Sequence, residues 1–173
     1  PGGERTVLVY RGASERLEVR DVPWLQFRAK WFYLFPGNAL AAIEKALAHA
    51  NRNGIRVALN PSGPMLKRGA GYLKKLLQSV HVLIMNREEG SRITGIPYGK
   101  PEAIFKKIDA WMPCLAVLTD GKRGVHVSDG ANLYTAGTYK EKKVADRTGA
   151  GDAFGSGFVA GLMQATNNKQ QVI

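Results

Sequence analysis

The chain has 173 residues, of which 45% are hydrophobic, and its single cysteine excludes a disulfide framework. No apolar run is long enough to span a membrane, and the N-terminal segment lacks the pattern of a signal peptide. The formal charge of +11 comes from 25 basic and 14 acidic residues scattered along the chain. Without a basic run or an Arg-rich stripe, we expect solvated helix faces and do not expect nucleic-acid binding.

The cysteine and the histidines do not indicate a metal site. Cys114 lies in the apolar run "CLAVL", and the three histidines are far apart in the sequence. This arrangement lacks the spacing of zinc ligands. A lone core thiol is typical of a protein in a reducing compartment, so we expect a cytoplasmic location.

The first third of the chain begins with strand-like segments. Residues 5–10 and 16–19 are expected to pair as a hairpin across "RGASE". Residues 31–35, "WFYLF", form a buried-strand run that ends at "PGN". Asn38 is placed to cap a helix over 39–53, whose apolar residues recur at helical spacing.

Strands and helices then alternate along the chain. Further strands are predicted at 55–61, 81–86, 114–120, 125–129, 131–137 and 142–146. Further helices are predicted at 64–80, 87–94, 101–112 and 149–165. This alternation predicts an α/β fold with a mainly parallel sheet covered by helices. Ligands bind such sheets at the carboxyl ends of strands, where Asn60, Asn86 and Thr119 are expected.

The stretch "DRTGAGDAFGSGF" places two glycines and an aspartate where the last helix begins. The first amides of a helix have no internal partners and attract an anion. Gly149 and Gly151 leave these amides uncovered, so they can surround a transferring phosphoryl group. Asp152 would then lie beside the anion and accept a proton from an attacking alcohol. Alternatively, Asp152 only stabilises the first turn and the glycines only form a tight loop.

Three segments together resemble one known family. "DRTGAGDAFGSGFVAGL" resembles the C-terminal signature D-T-x-G-A-G-D-x-F of the ribokinase-like (PfkB) carbohydrate kinases. "NREEGSRITG" resembles their N-x-x-E segment, and "LTDGKRGV" resembles their T-x-G-x-x-G nucleotide segment. The motifs occur in the family's order, and the resemblance covers nearly the whole chain.

The resemblance implies a ribokinase-like fold, a Rossmann-like three-layer arrangement, and transfer of the γ-phosphoryl group of ATP to a sugar or related small molecule. It implies that Asp152 is the catalytic base facing the acceptor, and that Gly149, Ala150 and Gly151 form the anion hole. Asn86 and Glu89 would organise Mg²⁺ around the phosphates. Without the resemblance, Glu88 and Glu89 would be read as a solvated helix start.

The resemblance also implies the nucleotide and cation contacts. The ATP site would be lined by Thr119, Gly121, Lys122, Gly124 and Gly151. Lys122 or Arg123 either reaches a phosphate or is solvated. Asp146 and Thr148 match positions that surround a monovalent cation, usually K⁺, in many members.

The chain departs from the family pattern in two respects. Arg147 stands where the family often has a small residue or threonine. The family's glycine-rich sugar-binding segment is not in the sequence, so we expect the C-terminal part of a longer kinase. Residues 1–20 would be lid strands and 21–173 the nucleotide-binding core. Arg11 then either faces the acceptor or is exposed on a hairpin, and 5–10 would be the strand of a possible homodimer.

The sequence is also compatible with other functions. A nucleoside is the second choice of acceptor after a sugar or sugar acid. A relative that binds nucleotide without transferring phosphate is possible, although the intact Asp152 argues against it. A nucleic-acid-binding protein would show steeply salt-dependent binding to random DNA.

Overall fold

A computed structural model describes Tyr10 and residues 12–112, 115–139 and 148–170. Within these residues, six strands form one sheet in chain order. They are β1 (Trp31–Leu34), β2 (Arg56–Leu59), β3 (Val82–Asn86), β4 (Leu115–Thr119), β5 (Val125–Ser128) and β6 (Leu133–Ala136). The first four strands are parallel, whereas β5 pairs antiparallel with β4 and β6 pairs antiparallel with β5. The predicted mainly parallel α/β sheet is therefore confirmed.

The helices connect the parallel strands and cover the sheet. They are α1 (Leu40–Arg52), α2 (Gly63–Lys67), α3 (Gly69–Leu77), α4 (Arg87–Thr94), α5 (Pro101–Asp109) and α6 (Ala150–Gln170). None of these helices is long and apolar enough to cross a membrane. Each lies where the alternating pattern predicted a helix, although one predicted helix is divided.

Two local predictions about helices are wrong. The single helix expected over 64–80 is split into α2 and α3, and the break falls at Arg68 and Gly69. Asn38 does not occupy the N-cap of α1, because that position belongs to Ala39. The chain turns once more before the helix, with the Leu40 amide donating to the Asn38 carbonyl.

The prediction of a strand at 16–19 is also wrong. Gly12–Arg16 and Val19–Asp21 are short 3₁₀-helices instead. Local hydrogen bonds explain the difference, since the Asp21 carboxylate accepts from the Glu18 amide at 2.9 Å. Trp24 Nε1 donates to the Val19 carbonyl at 2.7 Å and fixes the segment further. Of the strand predicted at 5–10, only the exposed Tyr10 is described; the strand predicted at 142–146 lies outside the described residues.

Two apolar cores lie on opposite faces of the sheet because strand side chains alternate between faces. On one face, Leu59, Leu83 and Leu118 pack with residues of α1, α3 and α5. On the other, Val82 and Ile84 pack with residues of α6. The helices therefore form two layers around the sheet, as the three-layer prediction required.

Candidate active site

The carboxyl ends of β3 and β4 bring two predicted site residues together. Asn86 and Thr119 are the last residues of these parallel strands and pair directly in the sheet register. The Thr119 hydroxyl donates to the Met85 carbonyl at 3.4 Å. Asn60 follows β2 at the same edge, where its amide donates to the Leu34 carbonyl at 2.9 Å. Parallel pairing thus gathers the three polar strand ends at one edge.

Asn86 and Glu89 form a capping box at the start of α4. The Asn86 side-chain oxygen accepts from the Glu89 amide at 2.8 Å, and Glu89 Oε2 accepts from the Asn86 amide at 3.0 Å. These reciprocal bonds satisfy two amides of the helix terminus. Burial raises the pKa of the Glu89 carboxyl, and the bond from the Asn86 amide opposes that rise. Both side chains therefore have a local structural role besides any role toward a ligand.

The oxygen donors of this pair fit a magnesium ion shared with phosphates. Mg²⁺ is usually held by one or two carboxylates together with substrate phosphates and water, rather than by a complete protein cage. Across the part of the chain that the structure describes, no group of three acidic, histidine or cysteine residues could hold a metal by itself. One carboxylate beside an exposed Asn86 is consistent with a metal that arrives with a nucleotide.

The segment after β4 forms a tight loop with one required glycine. Gly121–Arg123 is a 3₁₀-helix, and Gly124 follows it with φ 94° and ψ −138°. A Cβ atom at Gly124 would overlap the carbonyl oxygen of Ala136, so only glycine fits there without backbone movement. The Lys122 carbonyl accepts from the Thr138 hydroxyl at 3.3 Å. The predicted residues Gly121, Lys122 and Gly124 thus lie together, directly after Thr119.

An ionic cluster around the buried Asp120 supports this loop, and sequence analysis missed most of it. We call Arg87, Tyr98, Asp120 and Arg123 the Asp120 cluster. Asp120 Oδ2 accepts from Arg87 Nη1 at 2.7 Å and from Arg123 Nε at 2.9 Å. Asp120 Oδ1 accepts from Arg123 Nη2 at 2.8 Å and from the Tyr98 hydroxyl.

The electrostatics of the Asp120 cluster favour an ionised carboxylate. Hydrogen bonds from Arg123 hold the pKa of Asp120 well below its usual range, and burial only partly opposes them. The bond to Asp120 in turn raises the pKa of Arg123. The only signal in the sequence was the position of Asp120 within the T-x-G-x-x-G segment, and nothing pointed to Tyr98.

The first turn of α6 is exposed and opens with glycine. Gly149 precedes the helix with φ 77°, and its carbonyl accepts from the Ala153 amide at 2.9 Å. Ala150, Gly151 and Asp152 follow in the first turn and are all exposed. Thr148 lies directly before them and is also exposed. The first turn of α6 is therefore accessible to solvent, and helix starts of this kind are common sites for anions.

A close contact relates α6 to the sheet. A Cβ atom at Gly155 would overlap the Tyr33 hydroxyl group, so the end of the Tyr33 side chain lies against the helix backbone at a position where any other residue would displace it. Tyr33 is the penultimate residue of β1. Since a helix rises about 1.5 Å per residue, Asp152 lies within about 5 Å of Gly155 along the axis. The start of α6 therefore lies close to a side chain of β1. Asn86, Thr119 and the loop at 121–124 lie instead at the ends of β3 and β4.

Three predicted residues lie outside the described residues. They are Arg11, expected near the acceptor, Asp146, expected at the cation site, and Arg147. Their roles stay predictions.

Two cavities lie away from the loop and the first turn of α6. One, of about 640 Å³, includes Lys106, Asp109 and Ser128 near the amino end of β4. The other, of about 690 Å³, separates the N-terminal 3₁₀ segment from the start of α1 and includes Trp24 and Lys45.

Comparison with known proteins decides the family. The sequence profile of the pfkB family carbohydrate kinases matches residues 1–171. The chain belongs to the PfkB family. The resemblance seen in the three motifs is therefore confirmed.

Individual PfkB relatives act on different substrates. A cytidine kinase from Thermococcus kodakarensis is 31% identical over 159 residues, which are 88% of this chain and 55% of that protein. An ATP-dependent 6-phosphofructokinase from Thermoanaerobacterium thermosaccharolyticum is 36% identical over 104 residues, covering 60% of this chain and 31% of that protein. The chain thus spans about half or less of these relatives.

The solved structures confirm the fold. A probable sugar kinase from Rhizobium etli CFN 42 superimposes with a TM-score of 0.74 at 25% identity, covering 87% of this chain and 48% of that one. The described residues therefore have the ribokinase-like fold of PfkB kinases.

Proposed function

We propose that the protein transfers the γ-phosphoryl group of ATP to a hydroxyl group of a sugar or a nucleoside. The observation that carries this proposal is the exposed first turn of α6, where Gly149, Ala150 and Gly151 precede Asp152. Family membership supports the reaction class, because the named relatives are kinases. A sugar or sugar acid is the first choice of acceptor, and the similarity to a cytidine kinase supports a nucleoside as the second.

The proposed reaction depends on position and charge rather than on a strong base. In phosphoryl transfer the transition state is loose, and charge accumulates on the phosphoryl oxygens. The first amides of α6 would donate to these oxygens, while Asp152 accepts the proton of the attacking hydroxyl. The Thr119–Gly124 loop would bind the nucleotide at the ends of β3 and β4. A bond forms between the acceptor oxygen and the γ-phosphorus, the bond from that phosphorus to the β–γ bridging oxygen breaks, and ADP leaves.

Magnesium would be held near Asn86 and Glu89. When bound, the ion neutralises charge on the phosphates. Glu89 contributes a carboxylate that the Asn86 amide already orients. The K⁺ site proposed around Asp146 and Thr148 would contribute a second positive charge near the anion hole.

Replacing Asp152 tests the proposal directly. We expect Asp152→Asn to lower kcat by about 10²- to 10⁴-fold, because the amide cannot accept the proton of the acceptor. Transfer from Mg-ATP in the presence of K⁺ would be measured against sugars, sugar acids and nucleosides. Glu102→Gln is the matched control, since Glu102 is an exposed acid in the first turn of α5.

The outcomes separate the candidate functions. Undiminished transfer in Asp152→Asn would contradict the role of that residue. Binding of Mg-ATP by the unaltered chain without transfer to any acceptor would favour the second candidate, a nucleotide-binding protein without catalysis.

A further inference from the structure

The Asp120 cluster connects three segments that flank the candidate nucleotide site. Arg87 directly follows Asn86, and Asp120 directly follows Thr119. Tyr98 belongs to the connection between α4 and α5. The ion pair of Arg87 with Asp120 therefore links the start of α4 to the loop, in addition to the strand pairing of Asn86 with Thr119.

The cluster is built in a way that fixes its geometry. The Asp120 side chain is only 3% exposed, and that of Arg87 only 12%. Arg87 Nε also donates to the Tyr98 carbonyl at 2.8 Å, and its guanidinium carbon lies 4.4 Å from the centre of the Tyr98 ring. Bidentate and stacked arginine contacts restrict orientation more than a point charge does.

We infer that Tyr98 and Asp120 are positioning residues that hold the Thr119–Gly124 loop in the conformation that binds the nucleotide. This inference rests on the proposed function. Around the loop, the Asp120 amide donates to the Gly124 carbonyl at 2.8 Å, and the Arg123 amide donates to the Asp120 carbonyl at 3.0 Å. Asp120 thus fixes the loop through both its backbone and its side chain, so less order has to be acquired on binding.

The same contacts distinguish the two basic residues of the loop. Arg123 donates to Asp120 through Nε and Nη2 and also contacts the Tyr98 hydroxyl. Its guanidinium is therefore engaged in holding the loop. Lys122 is exposed on the same 3₁₀ turn and carries no side-chain contact of this kind to Asp120. Lys122, rather than Arg123, is the cation that the loop offers to a phosphate.

Tyr98→Phe removes one hydroxyl while keeping the ring beneath the Arg87 guanidinium. Tyr134→Phe is a matched control, because the Tyr134 hydroxyl also donates to an aspartate, Asp129 Oδ2 at 3.0 Å, in the β5–β6 turn. Two quantities would be measured for the unaltered chain and both variants. They are the Kd for Mg-ATP by titration calorimetry and the hydrogen-exchange rates of the amides of 119–124 without nucleotide.

We expect Tyr98→Phe to raise the Kd for Mg-ATP at least about threefold and to accelerate exchange in 119–124. We expect Tyr134→Phe to leave both quantities unchanged. Unchanged affinity in Tyr98→Phe, beside clear binding by the unaltered chain, would overturn this inference alone, even if exchange were faster. Failure of the unaltered chain to bind Mg-ATP would instead refute the proposed function and this inference with it.

Discussion

The buried carboxylate of Asp120 connects the T-x-G-x-x-G segment to the N-x-x-E segment through its bond from Arg87. Its side chain is 3% exposed and would be costly to bury without partners. Two guanidinium groups and a phenol hydroxyl provide those partners. Arg123 is itself 66% exposed, so its contact is weaker than that of the buried Arg87. Solvent therefore screens the Arg123 pair, whereas the Arg87 pair is largely shielded from it.

We expect Asp120→Asn to lower the free energy of unfolding by about 2–4 kcal/mol at pH 7, because it leaves Arg87 buried without its charge partner. The folded pKa of Asp120 is depressed below the ordinary 3.8. Its stabilisation is therefore complete above about pH 5 and declines as the pH falls below 4 toward the folded pKa. Urea unfolding at pH 7 and pH 3 would measure the difference between variant and unaltered chain at each pH.

Asp129→Asn provides the comparison for this prediction. Asp129 is an exposed carboxylate whose pKa is lowered to about 2 by the amides of Asn132 and Ala131. We expect a smaller loss of stability there, since solvent screens an exposed group. A difference for Asp120→Asn that is as large at pH 3 as at pH 7 would show that its effect is not one of charge.

Helix α6 carries the proposed chemistry, and its glycines have unequal roles. Gly155 contacts Tyr33 of β1 so closely that a methyl group has no room. Gly157 and Gly161 have open space where a Cβ atom would stand. The first glycine leaves room for the Tyr33 hydroxyl group beside the helix, whereas the other two only lower helix propensity.

We expect Gly155→Ala to destabilise the chain by about 1–3 kcal/mol, because the Tyr33 ring must move within the second core. Gly157→Ala, the matched control, should stabilise it by up to about 1 kcal/mol through helix propensity. Thermal and urea unfolding would measure both variants. A stabilising Gly155→Ala would mean that the Tyr33 side chain does not lie against the helix at Gly155.

The two cores and the strong positive charge are properties of the entire chain. Apolar residues pack on both faces of the sheet, and Asp120 is the one charged residue that is buried among the described residues. A charge of +11 attracts polyanions without selecting among them. The net charge therefore indicates how the protein associates with polyanions, and it says nothing about which reaction the protein catalyses.

We expect binding to random-sequence duplex DNA to be no tighter than ordinary non-specific binding, with a Kd of about 10⁻⁴–10⁻⁶ M at physiological salt. Fluorescence anisotropy at 50 and 200 mM KCl would measure it, with added Mg-ATP to test competition. Nanomolar binding to DNA at the higher salt concentration would contradict this expectation and support the nucleic-acid alternative.

Much of the fold was predictable because its signals are local. The strand runs and amphipathic helices follow from hydrophobic periodicity, and β1 to β6 fall within predicted segments. The errors lie where local hydrogen bonds compete with periodicity, as in the 3₁₀ segment around Glu18 and Asp21. The break between α2 and α3 has another cause, because Gly69 has a φ of 83° that a right-handed helix does not allow.

By itself, the sequence determined the α/β alternation, the family motifs and the candidate residues Asn86, Thr119 and Asp152, because each depends on neighbours in the chain. Only the tertiary structure decided that Asp120 joins Arg87 and Tyr98, residues 33 and 22 positions away. It also decided that the Tyr33 side chain of β1 meets α6 at Gly155. Such contacts depend on how packed strands and helices bring distant side chains together, and periodicity carries no information about those distances.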